Sequence, residues 1–267
     1  MPSNLYVCDV GGKQTKMRYI KILIFCFVFH SSIAQQEISY VNEVWWGVMT
    51  SAQVSDRLAV WNDAHFVNEL FFIYRTGLTY HPKRDNLVTT VGYGFLKLGT
   101  PISEGSLIRA EHRPWMQTTY RVPSTKKLST SFRFRYDARF IQNLEAGNLA
   151  DGFSFNHRWR FNNALRYAWG NLISADTRFT TTMLNEALFG TGPGPNGVRH
   201  EHRTHFLGQL GKGNFVYSLG YVIRYINTSP TIARINHGPV IWVTINLNLI
   251  KGKQLPTFIE YPSDHVD

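Results

Sequence analysis

From residue 128 to 141 the side chains alternate by two. Phe132, Phe134, Tyr136, Ala138 and Phe140 share one parity, and Arg133, Arg135, Asp137 and Arg139 share the other. Successive side chains of an extended strand point to opposite faces, so this stretch predicts a strand with one greasy and one charged face. Residues 153–167 repeat the pattern, with Phe153, Phe155, Trp159, Phe161, Leu165 and Tyr167 set against Asn156, Arg158, Arg160, Asn162 and Arg166. Residues 214–226 oppose Phe215, Tyr217, Leu219, Tyr221, Ile223 and Tyr225 to Ser218, Gly220 and Arg224, and residues 244–249 alternate Thr and Asn with Ile and Leu. At 3.6 residues per turn these aromatics would scatter around a helix and leave no apolar stripe. β-branched and aromatic enrichment also favours strand.

Weaker alternation places further strands at 44–54, 57–67, 70–80, 87–97, 107–121, 176–189 and 200–210. The joints 55–56, 82–86, 123–127 and 211–213 are tight, whereas 99–106, 142–151, 190–199 and 227–237 are longer. Short turns alternating with long loops are the habit of an outer-membrane barrel, and an even strand number is expected for closure. These are eleven segments, so residues 37–42 are read as a twelfth strand, giving about twelve, with ten as the fallback. The predicted fold is all-β: a transmembrane, antiparallel up-and-down β-barrel over residues 35–250, after a cleaved signal peptide. A secreted β-sandwich would alternate in the same way. Its strands average about five or six residues, however, and transmembrane strands need about 9 to 11, closer to the long runs seen here.

Energy decides which face is which. An Arg on the lipid face near the midplane costs about 2–4 kcal/mol. Six of them, Arg133, Arg135, Arg139, Arg158, Arg160 and Arg166, would cost on the order of 12 kcal/mol even at the low end, which rivals the stability of a whole domain. In a barrel, the arginines must therefore line the interior and the rings must face lipid.

Composition narrows the classes without changing this picture. The 267 residues are 43% hydrophobic, 14% aromatic and only 17% charged, which excludes intrinsic disorder. No apolar run reaches about 18 residues, so no polytopic helical membrane protein is encoded. Cys8 and Cys26 are the two cysteines, too few for a disulfide scaffold. Both fall in residues 1–34, where basic Met17-Arg18-Tyr19-Ile20-Lys21, apolar 22–29 and small Ser32-Ile33-Ala34 have the layout of a secretory leader. Met17 is the better start for such a leader. Removing 1–34 would lower the formal charge from +10 to +7 and leave no cysteine. Residues 251–267 form a separate tail.

Several segments together resemble an uncharacterised family of bacterial outer-membrane barrels common in Bacteroidota, domain of unknown function 2490. The resemblance rests on Arg75-Thr76-Gly77-Leu78-Thr79-Tyr80, Gly92-Tyr93-Gly94 and Glu111-His112-Arg113-Pro114-Trp115-Met116-Gln117. It continues through residues 133–140, 155–167 and Asn185-Glu186 before Leu188-Phe189, and covers most of 40–250. It implies an outer-membrane barrel of no established activity and contributes no catalytic residue. The 251–267 tail departs from the family's usual ending, an aromatic on the last strand, and leaves Leu247-Asn248-Leu249-Ile250 as the candidate terminal signal.

The candidate site is a charged network lining the lumen: Arg75, Glu111, Arg113, Arg133, Arg135, Asp137, Arg139, Arg158, Arg160, Arg166, Glu186 and Arg224. A lumen rich in one sign of charge concentrates counter-ions and would select small anionic solutes. The competing account is that these arginines pair with Glu111, Asp137 and Glu186 and simply fill the barrel. Size favours filling, because twelve strands lie between eight-stranded barrels that are packed and sixteen-stranded porins that are open.

Other candidates are weaker. In His200-Glu201-His202-Arg203-Thr204-His205, strand parity turns His205 away from His200 and His202, so no metal site is expected. His157 has lipid-facing parity, where an outer-membrane phospholipase would keep its base, but Trp159 stands where that family places its serine nucleophile. Residues 190–197 are glycine-rich but interrupted by Pro193 and Pro195, a loop rather than a phosphate cradle. Asn227-Thr228-Ser229 matches a glycosylation sequon, read as a chance match in a bacterial export product. Basic charge on one strand face does not imply nucleic acid. The expectation is a monomeric outer-membrane barrel, structural or a narrow passive channel, in contact with outer-membrane lipid and without cofactor, metal or catalytic residue. A lipid hydrolase and a secreted binding sandwich are the alternatives.

Overall fold

Twelve strands account for nearly all of the chain's described part: β1 Glu37–Asn42, β2 Trp45–Gln53, β3 Leu58–Val67, β4 Phe71–Tyr80, β5 Leu87–Leu98, β6 Arg109–Val122, β7 Leu128–Glu145, β8 Asn148–Ser174, β9 Thr177–Thr191, β10 Arg199–Lys212, β11 Phe215–Ser229 and β12 Ile232–Asn248. The structure is a computed structural model that describes residues 36–250 apart from 69, 83–85, 100–106, 123–124, 126, 193–198 and 230. The expected leader, both cysteines and the 251–267 tail lie outside the described residues.

From β2 to β12 each strand pairs antiparallel with the next in chain order, and β12 then returns to β2, closing a barrel of eleven strands. The even number expected for closure is therefore not what closes the ring. With an odd number the first and last strands run the same way, so the seam from Trp45↔Val240 to Asn248↔Gln53 is parallel. β1 forms as expected at residues 37–42 but adds no stave. Its register, Glu37↔Ile232 to Asn42↔His237, is the one that β2 resumes at Trp45↔Val240. β1 and β2 thus lie end to end along one edge of β12, interrupted at Glu43 and Val44.

Two stretches expected as loops are strand. β7 and β8 stay paired to Glu145↔Asn148, and Ala146 and Gly147, with φ of 48° and 79°, make the two-residue turn. Positive φ at both central residues matches the twist of a tight hairpin. Likewise β11 and β12 pair to Ser229↔Ile232 within 227–237. Both hairpins extend beyond the aromatic-rich part of their strands, where no face has to be apolar, so the alternation that signals strand fades although the ladder continues.

Side chains divide by parity as the energetic argument requires. Phe132, Phe134, Phe161, Tyr217 and Leu219 are exposed, whereas Arg133, Arg135, Arg160 and Ser218 on the opposite parity are buried. The inward face is not only charged, however. Trp45, Trp61 and Trp242 are at most 1% exposed and, with Trp115, Met49, Leu184, Leu207 and Val222, form an apolar cluster inside the ring. The sequence reading assigned rings to lipid alone, because the segments that carry these tryptophans alternate weakly. Gly92 makes one such placement possible: a Cβ there would lie 2.6 Å from the Trp115 ring and 2.3 Å from the Thr76 carbonyl oxygen.

Candidate functional site

All twelve residues of the expected network point into the ring, and they group around a few carboxylates at successive heights. At the waist, Arg75 on β4 meets Asp63 on β3 through Nε at 2.8 Å and through Nη2, both side chains fully buried. Asp63↔Arg75 is a directly opposed pair of the β3–β4 ladder, which presents the guanidinium fork side-on to the carboxylate. On β7 and β8, Arg135 Nε donates to Asp137 Oδ1 at 2.7 Å and Arg158 Nε to Oδ2 at 3.0 Å. Glu186 on β9 accepts from Arg160 Nε and Nη2 at 3.0 and 2.7 Å and from Arg133 Nη2 at 2.6 Å. Glu111 on β6 accepts from Arg113 at 2.7 Å and from both Nε and Nη2 of Arg139 at 2.8 Å. Arg166 is buried on β8, and Arg224 on β11 joins Glu201 at 2.7 Å and Glu43 at 2.8 Å.

The tryptophans and the guanidiniums interleave. Arg75 lies over the Trp61 ring with its central carbon 5.1 Å from the centroid, and Arg135 lies over Trp115 at 4.4 Å. Trp61 and Trp115 meet edge to face at 5.6 Å. On the other side of the ring, Trp242 stacks on His65 at 5.7 Å and packs on His205 at 5.5 Å. Arg203 and Arg224 both lie over the Trp45 ring, which donates from Nε1 to Glu43 Oε1 at 2.8 Å. Charge buried this deeply persists only when paired and hydrogen-bonded, and here it also shares flat faces with aromatic rings. The waist is thus a packed core made of ion pairs and indoles.

Glu43, Asp63, Glu201 and Arg203 belong to this network but were not singled out by the sequence. Asp63 lies in one of the weakly alternating segments. Glu43 lies in the break between β1 and β2, where no parity applies. Glu201 was hidden in a histidine run weighed only for metal binding, yet its inward parity on β10 places it against Arg203 and Arg224. In that run His205 is buried and turned inward, whereas His202 is on the outer face, hydrogen-bonded to Asn185. Among the described residues no three His, Cys, Asp or Glu side chains gather as a metal site would require. His157 is on the outer face beside Phe155, its Nδ1 2.8 Å from the Tyr136 hydroxyl.

At the end of the barrel that carries the β7–β8 hairpin the packing opens. A cavity of about 220 Å³ lies there, lined by Arg113, Arg139, Arg158, Arg203, Arg224 and Arg234 and by Leu96, Leu98 and Leu188. Among the described residues Glu201 is its one lining carboxylate. The mouth therefore has more guanidiniums than carboxylates on its walls.

No curated protein and no solved structure matches the chain. A family model described as protein of unknown function (DUF2490) matches residues 42–236, which runs from the end of β1 into the first turn-side residues of β12 and includes every residue of the expected network. The chain belongs to this DUF2490 family of proteins of unknown function.

Proposed function

We propose that the protein is an outer-membrane β-barrel that is electrically closed, serving as a structural or ligand-binding barrel and not as a passive channel. Support for the membrane comes from the outer face, where Trp46, Phe66, Phe132, Phe161 and Leu219 are each about half exposed or more. A water-soluble monomer rarely exposes a contiguous apolar patch beyond a few hundred Å², and this surface continues round the ring. Tyr93–His112, Tyr136–His157 and Tyr221–His237 hydrogen bonds on that outer face suit an interfacial belt, where rings meet polar headgroups. In this reading the partner is outer-membrane lipid, the barrel is a monomer, and the 1–34 leader exports it.

The observation that carries closure is the complete burial of Trp45, Trp61, Trp242, Arg75, Arg135 and Arg160 at the waist. Conduction needs a continuous wet path, and the burial of these side chains from solvent argues against one. The arginines are then filling material at the waist, and anion attraction is confined to the mouth. No observation favours a lipid hydrolase, since His157 is engaged by Tyr136 and followed at two residues by Trp159. Planar-bilayer recording with refolded protein tests the proposal. The expected result is no steady unitary step. Reproducible steps, reduced by Arg135→Gln or Arg160→Gln, would overturn it.

A further inference from the structure

We infer that the cavity at the β7–β8 end is a binding site for a small organic anion that has a compact, multiply charged head, such as a phosphate monoester, and a short apolar body. The inference does not depend on whether the barrel conducts, since the site lies above the packed waist.

Three observations carry it. The first is charge. Seven arginines line the cavity, counting Arg199, against Glu201 alone. The carboxylates that reach those arginines from behind, Glu111, Asp137 and Glu43, still leave cations in excess. A concave, low-dielectric pocket focuses such a field on whatever enters it. The second is shared acceptors. Glu201 serves both Arg203 and Arg224, Glu111 serves both Arg113 and Arg139, and Asp137 serves both Arg135 and Arg158. Each guanidinium carries five N–H donors, so the wall keeps donor capacity for an added anion. Guanidinium forks match phosphate and carboxylate oxygens two at a time, and a dianion uses the surplus charge best.

The third is an apolar wall. Leu96, Leu98 and Leu188 are nearly fully buried, and with Phe71 they give the cavity an apolar part to its lining. A bare ion would leave this wall uncovered. A dry cavity of about 150 Å³ accepts a benzene ring, so the 220 Å³ here holds a ring or short chain with room for the head.

Calorimetric titration of the refolded full chain in non-ionic micelles tests this with phenyl phosphate, phenylacetate, inorganic phosphate and benzyl alcohol. Saturable one-site binding is expected for phenyl phosphate, weaker binding for phenylacetate, at least tenfold weaker binding for inorganic phosphate, and none for benzyl alcohol. Arg203→Ala and Arg234→Ala should each weaken phenyl phosphate at least tenfold. Arg234 is only half-buried, so its variant serves if Arg203→Ala fails to fold. Arg178→Ala, which removes an exposed arginine at the opposite end, should change nothing. Equal affinity of the Arg234→Ala variant, equal affinity for inorganic phosphate, tighter binding of phenylacetate, or no phenyl phosphate binding by the folded barrel would each overturn the assignment.

Discussion

At the waist of the barrel Arg75, Arg135 and Arg160 are wholly enclosed, each against a carboxylate, with tryptophan rings over the first two. At the β7–β8 mouth, Arg203 on β10 and Arg234 on β12 line a cavity in which guanidiniums outnumber carboxylates. The same side chain thus has two uses, set by packing and by access to water. Where the ring is filled and indoles cover it, arginine is packing material. Where the ring opens, it is capacity for a ligand.

The largest effect that can break this comparison is expected at the waist. Asp63→Ala would leave Arg75 charged and enclosed, and breaking a buried pair from one side costs about 3–5 kcal/mol. Urea unfolding followed by heat-modifiable gel migration should show that loss. The double variant Asp63→Leu with Arg75→Met should recover most of it, because apolar replacement of a whole buried pair is often neutral. A double variant as unstable as the single one would mean that the pair, rather than its volume, holds the waist together.

At the mouth the expected cost is smaller and the functional sign is opposite. Glu201→Gln weakens charge-assisted bonds from Arg203 and Arg224 at a site that water reaches, so destabilisation should stay near 1–2 kcal/mol. The same change removes the cavity's one lining carboxylate, so phenyl phosphate should bind several-fold more tightly. Weaker binding would show that Glu201 positions the arginines for the anion instead of competing with it.

The smallest effect is expected in the β8–β9 turn, where Asp176 faces Lys212 at 3.5 Å with both side chains largely exposed. A hydroxyl hydrogen bond from Ser174, aided by Lys212, holds its carboxyl below the usual carboxylate range. A carboxylate shifted in that direction stabilises the fold above the ordinary range and stops doing so as the pH falls through it. At full exposure the effect is screened. Asp176→Asn should therefore leave the unfolding midpoint unchanged at neutral pH, and a clear shift would show the turn to be more enclosed than the side-chain exposures imply.

How much of this was legible in the sequence follows from where alternation was strong. β7 and β8 announce both faces, because Arg133, Arg135, Arg160 and Arg166 alternate with Phe132, Phe134, Phe161 and Leu165 over more than ten residues. β7 also announces the counter-charge Asp137, and β9 announces Glu186. The inward tryptophans were missed because Trp45 and Trp46 are adjacent and satisfy either parity, and because Trp61 and Trp115 alternate with Asn62, Asp63 and Met116 in no consistent sense. The parallel seam is a property of strand count, which no local pattern contains. Glu43 could not be assigned, since it becomes a partner of Arg224 only when a residue near one end of the chain meets a strand almost two hundred positions later.

The central claim is that the ring-bearing face meets hydrocarbon while the guanidinium-bearing face is enclosed. It is tested most directly by nitroxide labels on Phe134→Cys, Phe161→Cys and Leu219→Cys, with Cys8 and Cys26 replaced by serine, in protein reconstituted into lipid vesicles. Collision rates with dissolved oxygen and with a water-soluble nickel chelate should show all three labels accessible to oxygen and protected from nickel, as lipid-facing positions are. Labels open to nickel and shielded from oxygen would place that face in water and contradict the account.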